Sequence, residues 1–194
     1  MPKTSLIALT SAALLTLPLG AVADAADPFA PPTRAWEQGS IYENTIPTEF
    51  ETHIIAATEA DRARAEHILA FYEYVAGQPT VEGVSEYLSD RYIQHSAMLP
   101  NGKEPFTMLF AGSAADNPTF IDVHKVIVVG DWAMAHVNFR QMDDTSDDDK
   151  GMAAVDMYFF GADGLIQEHW DVIQNVPSHS PNPNGMFVKL YEGE

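Results

Sequence analysis

Asp156, Tyr158, His169 and Asp171 stand in a stretch, Met152 to Asn175, that is otherwise rich in Val, Tyr, Phe, Ile and Trp. Burying an unpaired charge is costly. Such groups therefore either pair with one another as structure or line a pocket and carry out chemistry. His169 and Asp171 are two residues apart, so on a strand they point to the same side. A carboxylate beside an imidazole sets its tautomer and makes it a usable acid or base near neutral pH. Two facing carboxylates cannot both ionise cheaply, and a carboxylic acid kept neutral can stabilise an enolate.

Whether these groups converge depends on a turn. Ala162-Asp163-Gly164 joins two β-rich runs, and Asp-Gly in that position signals a hairpin. A two-residue turn sets Tyr158 opposite His169 and Asp156 opposite Asp171. All four then share one face, with Val155, Met157, Trp170 and Val172 on the other. A three-residue loop with Gly164 as a bulge slips the register by one, so Asp156 and Tyr158 face with Trp170 instead. The local sequence allows both.

Further imidazoles lie nearby. His95 follows the second helix, and His124 and His136 fall on adjacent strands. A two-residue turn at Gly130-Asp131 gives the latter two opposite parity. His136 is expected inward, with Asn138 and Arg140 on its face, and His124 is expected to be an ordinary core or surface residue. Three His and an Asp also form a zinc or iron ligand set. No HxH or HxxxH spacing concentrates two ligands on one element, so no metal and no cofactor are expected. No GxSxG, phosphate loop or dinucleotide fingerprint occurs.

Several elements must position these groups. Thr58 and Asp61 form a capping box in front of a helix ending at Ala76, with Ala65, Ile68, Leu69, Tyr72 and Val75 at helical spacing. A second helix is expected from Val81 to Arg91, then an extended Tyr92–His95. Pro105 opens a short third helix to Ala115. Strands follow over Phe120–Val129 and Trp132–Met142, then the acidic loop and the hairpin. Helices followed by a four-strand antiparallel meander give an α+β domain, with N-terminal helices packed on one face of a curved antiparallel sheet.

The chain of 194 residues reads as one such domain, 58–176, with a leader at 1–23, an extended arm at 24–57 and a tail at 177–194. Lys3, the apolar run Leu6 to Leu19 and Ala21-Val22-Ala23 compose a cleavable export signal. The expected compartment is the periplasm or the exterior, where the absence of cysteine poses no difficulty. A formal charge of −18 argues against nucleic acid and against an anionic membrane surface as partners. A small molecule is the expected partner.

The order Tyr92-Ile93-Gln94-His95, Gly130-Asp131, His136-Val137, Asp156-Met157-Tyr158-Phe159, Asp163-Gly164-Leu165-Ile166-Gln167-Glu168-His169-Trp170-Asp171-Val172 and Asn182-Pro183-Asn184-Gly185-Met186-Phe187 resembles the SnoaL-like polyketide cyclase family. That family belongs to the cone-shaped superfamily named after nuclear transport factor 2. The resemblance implies a curved sheet around one deep pocket, a homodimer, and cofactor-free acid–base closure of an aldol type. It carries His169, Asp171 and His95 over as pocket residues. The expected function is that of an exported lyase or isomerase. Asp171 or Asp156 takes a proton, His169 and His95 hold and protonate the oxyanion, and Tyr92, His136, Tyr158 and Trp170 contact substrate. The alternatives are an exported binding or interaction module and a His-ligated metal enzyme.

Overall fold

The computed structural model describes residues 41–77, 79–113, 120–141 and 149–187. The leader, the first part of the arm, most of the acidic loop and the end of the tail lie outside the described residues.

Helix α1 spans Glu59–Ala76. Its start is set as the sequence indicates: Thr58 Oγ1 accepts from Asp61 N–H (3.1 Å), and Asp61 Oδ2 accepts from Thr58 N–H (3.2 Å). Asp61 also accepts from Gly130 N–H at 3.0 Å, which ties the helix start to a turn of the sheet. Those hydrogen bonds, the one with Thr58 foremost, hold its carboxyl below the usual carboxylate range. The buried side of α1 is Ala65, Ile68, Phe71, Tyr72 and Val75.

The second helix is shorter than its pattern suggests. Helix α2 is Val81–Ser85. Leu88–Gln94 is a strand, β3, because it finds a partner far along the chain: Ile166 N–H donates to Tyr87 C=O at 3.1 Å and Gln94 pairs with His169. Long-range pairing here overrides a weak local preference. Helix α3 spans Lys103–Ser113, with Pro105 in its first turn.

The arm holds two short strands that its Pro-rich composition does not announce, β1 at Tyr42–Glu43 and β2 at His53–Ala56. Then come β4 (Phe120–Val129), β5 (Trp132–Arg140), β6 (Met152–Phe160), β7 (Ile166–Asn175) and β8 (His179–Ser180). The main sheet runs β2-β4-β5-β6-β7-β3. The expected four-strand meander is its centre. The flanking strands are additions, and both pair parallel to their neighbours. The small pair β1–β8 joins arm to tail.

The inner face of the sheet is lined by Val126, Val128, Ala133, Ala135, Val137 and Ala154, all buried against the helices. Its row of small residues lets α1 sit close. Gly151 enters β6 at φ +76°, and a side chain there would meet Phe139 C=O at 2.3 Å, so only glycine fits.

A β-bulge between Val123 and Lys125 overturns the expected parity of the histidines. Lys125, not His124, sits opposite His136. His124 and His136 therefore both lie on the outer face, under the tail, with Phe187 stacked on each (4.6 and 5.2 Å). The expectation of an inward His136 is corrected: Ala135 and Val137 take the inward positions of β5, which turns His136 outward, and the bulge brings His124 to the same side. Asn138 and Arg140 do share its face, but that face is the outer one.

Burial, helped by the neighbouring His136, holds His124 down at about 4 from an ordinary 6.5. With the folded value depressed, the unfolded chain binds the extra proton between these limits. Stability from this residue is thus present above pH 6.5 and lost as pH falls towards 4. Urea midpoints measured across that interval are expected to fall less steeply in His124→Leu than in the parent. An unchanged slope would remove His124 as the cause.

Candidate active site

The hairpin adopts the two-residue register around its acidic pairs: Tyr158 lies opposite His169 and Asp156 opposite Asp171. The extra residue of the longer loop is absorbed at Phe159–Phe160, beyond the site. Gly164 takes φ +78° in the turn. Asp156, Tyr158, His169 and Asp171 accordingly face one chamber under α1.

The chamber is walled by Phe71 and Val75 of α1, Leu88 of β3, Phe106 and Phe110 of α3, and Phe139, Ile166 and Ile173 of the sheet. The space in which the centre of a water molecule could move is about 110 Å³. That is below the ~300 Å³ at which small-molecule sites usually begin. Its polar groups are Tyr72, Tyr92, Asp156, Tyr158, His169 and Asp171; no Lys or Arg is among the described residues lining it.

Hydrogen bonds order these groups in two chains. Tyr158 donates to Tyr72 at 2.6 Å, and Tyr72 donates to Asp156 Oδ2. In the second chain, Ser96 N–H donates to Gln94 Oε1 at 2.9 Å. A backbone amide can only donate, so that amide atom is the acceptor oxygen. His169 Nδ1, 2.9 Å from the same oxygen, must therefore carry the proton. The tautomer is set from behind, and Nε2 turns its lone pair toward the chamber, 3.5 Å from Asp156 Oδ1. Nε2 is buried without a hydrogen-bond partner. Gln94 Nε2 completes the chain by donating to Tyr92 Oη at 2.8 Å.

Asp171 is half-buried, and no hydrogen-bond partner for it occurs among the described residues. Donor atoms of Asp156, His169 and Asp171 lie within 4.8 Å of one another, so this trio could hold a cation.

The phenols sit in the least polar part. Burial, reinforced by the Asp156 carboxylate, pushes Tyr72, Tyr92 and Tyr158 upward from the ordinary value of 10.0. All three stay protonated donors at any physiological pH.

Of the expected site residues, Asp156, Asp171, His169, Tyr158 and Tyr92 are brought together. Three are not. Trp170 lies on the outer face of β7, next to Trp132 at 5.5 Å. His95 stacks flat on Trp170 at 4.3 Å and meets Glu168 at 2.9 Å, outside the chamber. His136 lies on the outer face as described. The error at His95 has a simple origin. Tyr92 and Gln94 alternate inward on β3, so His95 follows Ile93 outward. Strand parity from the buried Tyr92 could have nominated Gln94. Tyr72 carried only a core signal, because its hydroxyl acquires meaning from a partner 84 positions away.

Residues 68–169 match a family described as the SnoaL-like domain. Among solved structures, a nuclear transport factor 2-like protein of unknown function from Mesorhizobium loti superposes with a TM-score of 0.51 at 15% identity, over 63% of this chain and 99% of that one. A putative polyketide cyclase from Bacillus cereus gives 0.48 at 19% identity, over 68% and 91%. A steroid delta-isomerase from Pseudomonas aeruginosa gives 0.46 at 13%, over 64% and 86%. No curated protein matches the sequence.

With their folded values raised, the three phenols leave stability intact below pH 10.0 and withdraw it as pH rises beyond. In an alkaline absorbance titration they are expected to ionise only together with unfolding, followed by circular dichroism. Ionisation of all the tyrosines in the folded protein would contradict the chamber as described.

Proposed function

The chain belongs to the SnoaL-like domain family, and from that premise we propose that it is a lyase or isomerase that moves a proton on a small, uncharged carbonyl or hydroxyl compound. The observation that carries this reading is Asp171, a carboxylate without a hydrogen-bond partner among the described residues, at the wall of an apolar chamber. It is free to take a proton from carbon beside a carbonyl. Tyr92 accepts from Gln94 and keeps its own hydrogen to donate, which suits it to stabilise the oxyanion that forms. His169 Nε2 and Asp156 stand ready to receive and return the proton. Two carboxylates with no basic group among the described lining residues disfavour an anionic substrate. The aromatic walls favour a flat one.

Asp171→Asn is nearly isosteric and breaks no hydrogen bond among the described residues. It is expected to keep the melting temperature and lose turnover by about 10²–10⁴-fold. Full activity in this variant on a substrate identified by screening would end the assignment. A binding-only module predicts instead that the variant retains ligand affinity and that no compound is ever converted.

The export signal read in the first residues supports a periplasmic or secreted location, and no described helix is long and apolar enough to cross a membrane. The outer face of the sheet supports a homodimer. Trp132, Met134, Val155, Met157 and Val172 are all exposed there, Val172 at 70%, forming an apolar surface of the kind that marks an interface. In sedimentation, the parent is expected to run as a dimer and the double variant Met157→Lys, Val172→Glu as a folded monomer. A monomeric parent at micromolar concentration would reject this assembly.

A further inference from the structure

We propose that Asp156, His169 and Asp171 form a site for one divalent transition-metal ion, zinc by its donor chemistry, and that occupancy shuts the acid–base site off.

The cluster has more than its two acids. His169 is 7% exposed, and its Nε2 has no hydrogen-bond partner. His169 Nδ1–H donates to the Gln94 carboxamide oxygen, so Nε2 is the nitrogen held toward the two carboxylates. A hydrogen bond of that kind, made by the ring nitrogen away from the ion, is what orients an imidazole ligand for a metal. Asp156 is prepared in the same way. Tyr72 and Tyr158 both approach Oδ2, leaving Oδ1 facing His169.

The distances agree with a metal's needs. Zinc bonds of ~2.1 Å in tetrahedral geometry place neighbouring donor atoms about 3.4 Å apart. Asp156 Oδ1 and His169 Nε2 are already 3.5 Å apart. Asp171 completes the trio within 4.8 Å and, with no hydrogen bond to any described residue, can close the remaining gap by side-chain rotation. Nitrogen and oxygen donors of this type suit zinc. Three protein ligands leave a fourth position toward the chamber. Two facing carboxylates without a basic neighbour among the described lining residues also favour a cation there.

A bound ion takes up the Asp171 lone pairs and the His169 Nε2 lone pair. These are the groups that must accept protons, so the inhibitory half of the proposal rests on the acid–base reading above. The binding half does not.

The test titrates chelator-treated, full-length protein with zinc by calorimetry, reading the melting temperature in parallel. One ion per chain and a raised melting temperature are expected. Affinity is expected to fall at least tenfold in Asp171→Asn and in His169→Ala, and to be unchanged in His95→Ala, whose imidazole lies on the outer face. No binding overturns the proposal, as does binding that survives both substitutions. Should His169→Ala fail to fold, Asp171→Asn decides alone, since that side chain has no hydrogen bond to a described residue to lose. Once a substrate is known, saturating zinc is expected to abolish turnover and chelation to restore it. Turnover retained with the ion bound overturns the inhibitory half. Turnover by the zinc-free protein tests the proton-transfer reading separately, so either can fail without the other.

Discussion

A buried carboxylate is the constraint around which this domain is arranged. Asp156 is 3% exposed at the centre of an apolar chamber, with no basic side chain among the described lining residues to neutralise it. Left without hydrogen bonds, such a group would be strongly destabilising. It is satisfied by Tyr72, which comes from α1, and that single contact joins the helical layer to the middle of the sheet. Tyr158 supports Tyr72 from the next inward position on β6, and His169 of β7 lies 3.5 Å from the second oxygen. Helix, sheet and chamber are thus held by one polar network inside an otherwise greasy interior. Low local polarity strengthens each bond in that network and makes any broken one costly.

The same interior shapes the chemistry on offer. Phenols that cannot ionise remain donors, and an imidazole whose proton is committed to Gln94 presents its other nitrogen as an acceptor. Asp171, half-buried at the chamber wall, is the one acid of the pair left to solvent, substrate or ion. Environment alone separates two aspartates that face each other across adjacent strands. This division is the pattern by which pockets keep one group for proton transfer and another for support.

Bulges do the sorting of faces. The irregularity at His124 sends that imidazole to the outer surface beside His136, and the offset after Phe159 absorbs the long turn without disturbing the acids. The three misplaced expectations, His95, His136 and Trp170, are all errors of parity rather than of element. His136 was lost because Ala135 and Val137 take the inward positions of β5, while the bulge on β4 moved only His124. His95 was lost because Tyr92–His95, though read as extended, was given no facing, and on β3 it is Tyr92 and Gln94 that alternate inward. Trp170 depended on the hairpin register, which the sequence leaves open. On the outer face, Trp170 and His95 instead enlarge the apolar surface beside Trp132.

By itself the sequence determined the kind of fold and which strands carry its ionisable groups. Capping residues, the helical spacing from Ala65 to Val75 and the alternating strands are local signals, set by backbone geometry within a few residues. Only the tertiary structure decided which polar groups meet. The parallel pairing of β3 with β7 brought Gln94 behind His169, and the packing of α1 brought Tyr72 onto Asp156. Such contacts join positions some 70 to 90 residues apart, and a change of one residue in register would reverse them. No local pattern encodes them, because the energy that selects them belongs to the whole buried chamber and not to any one segment.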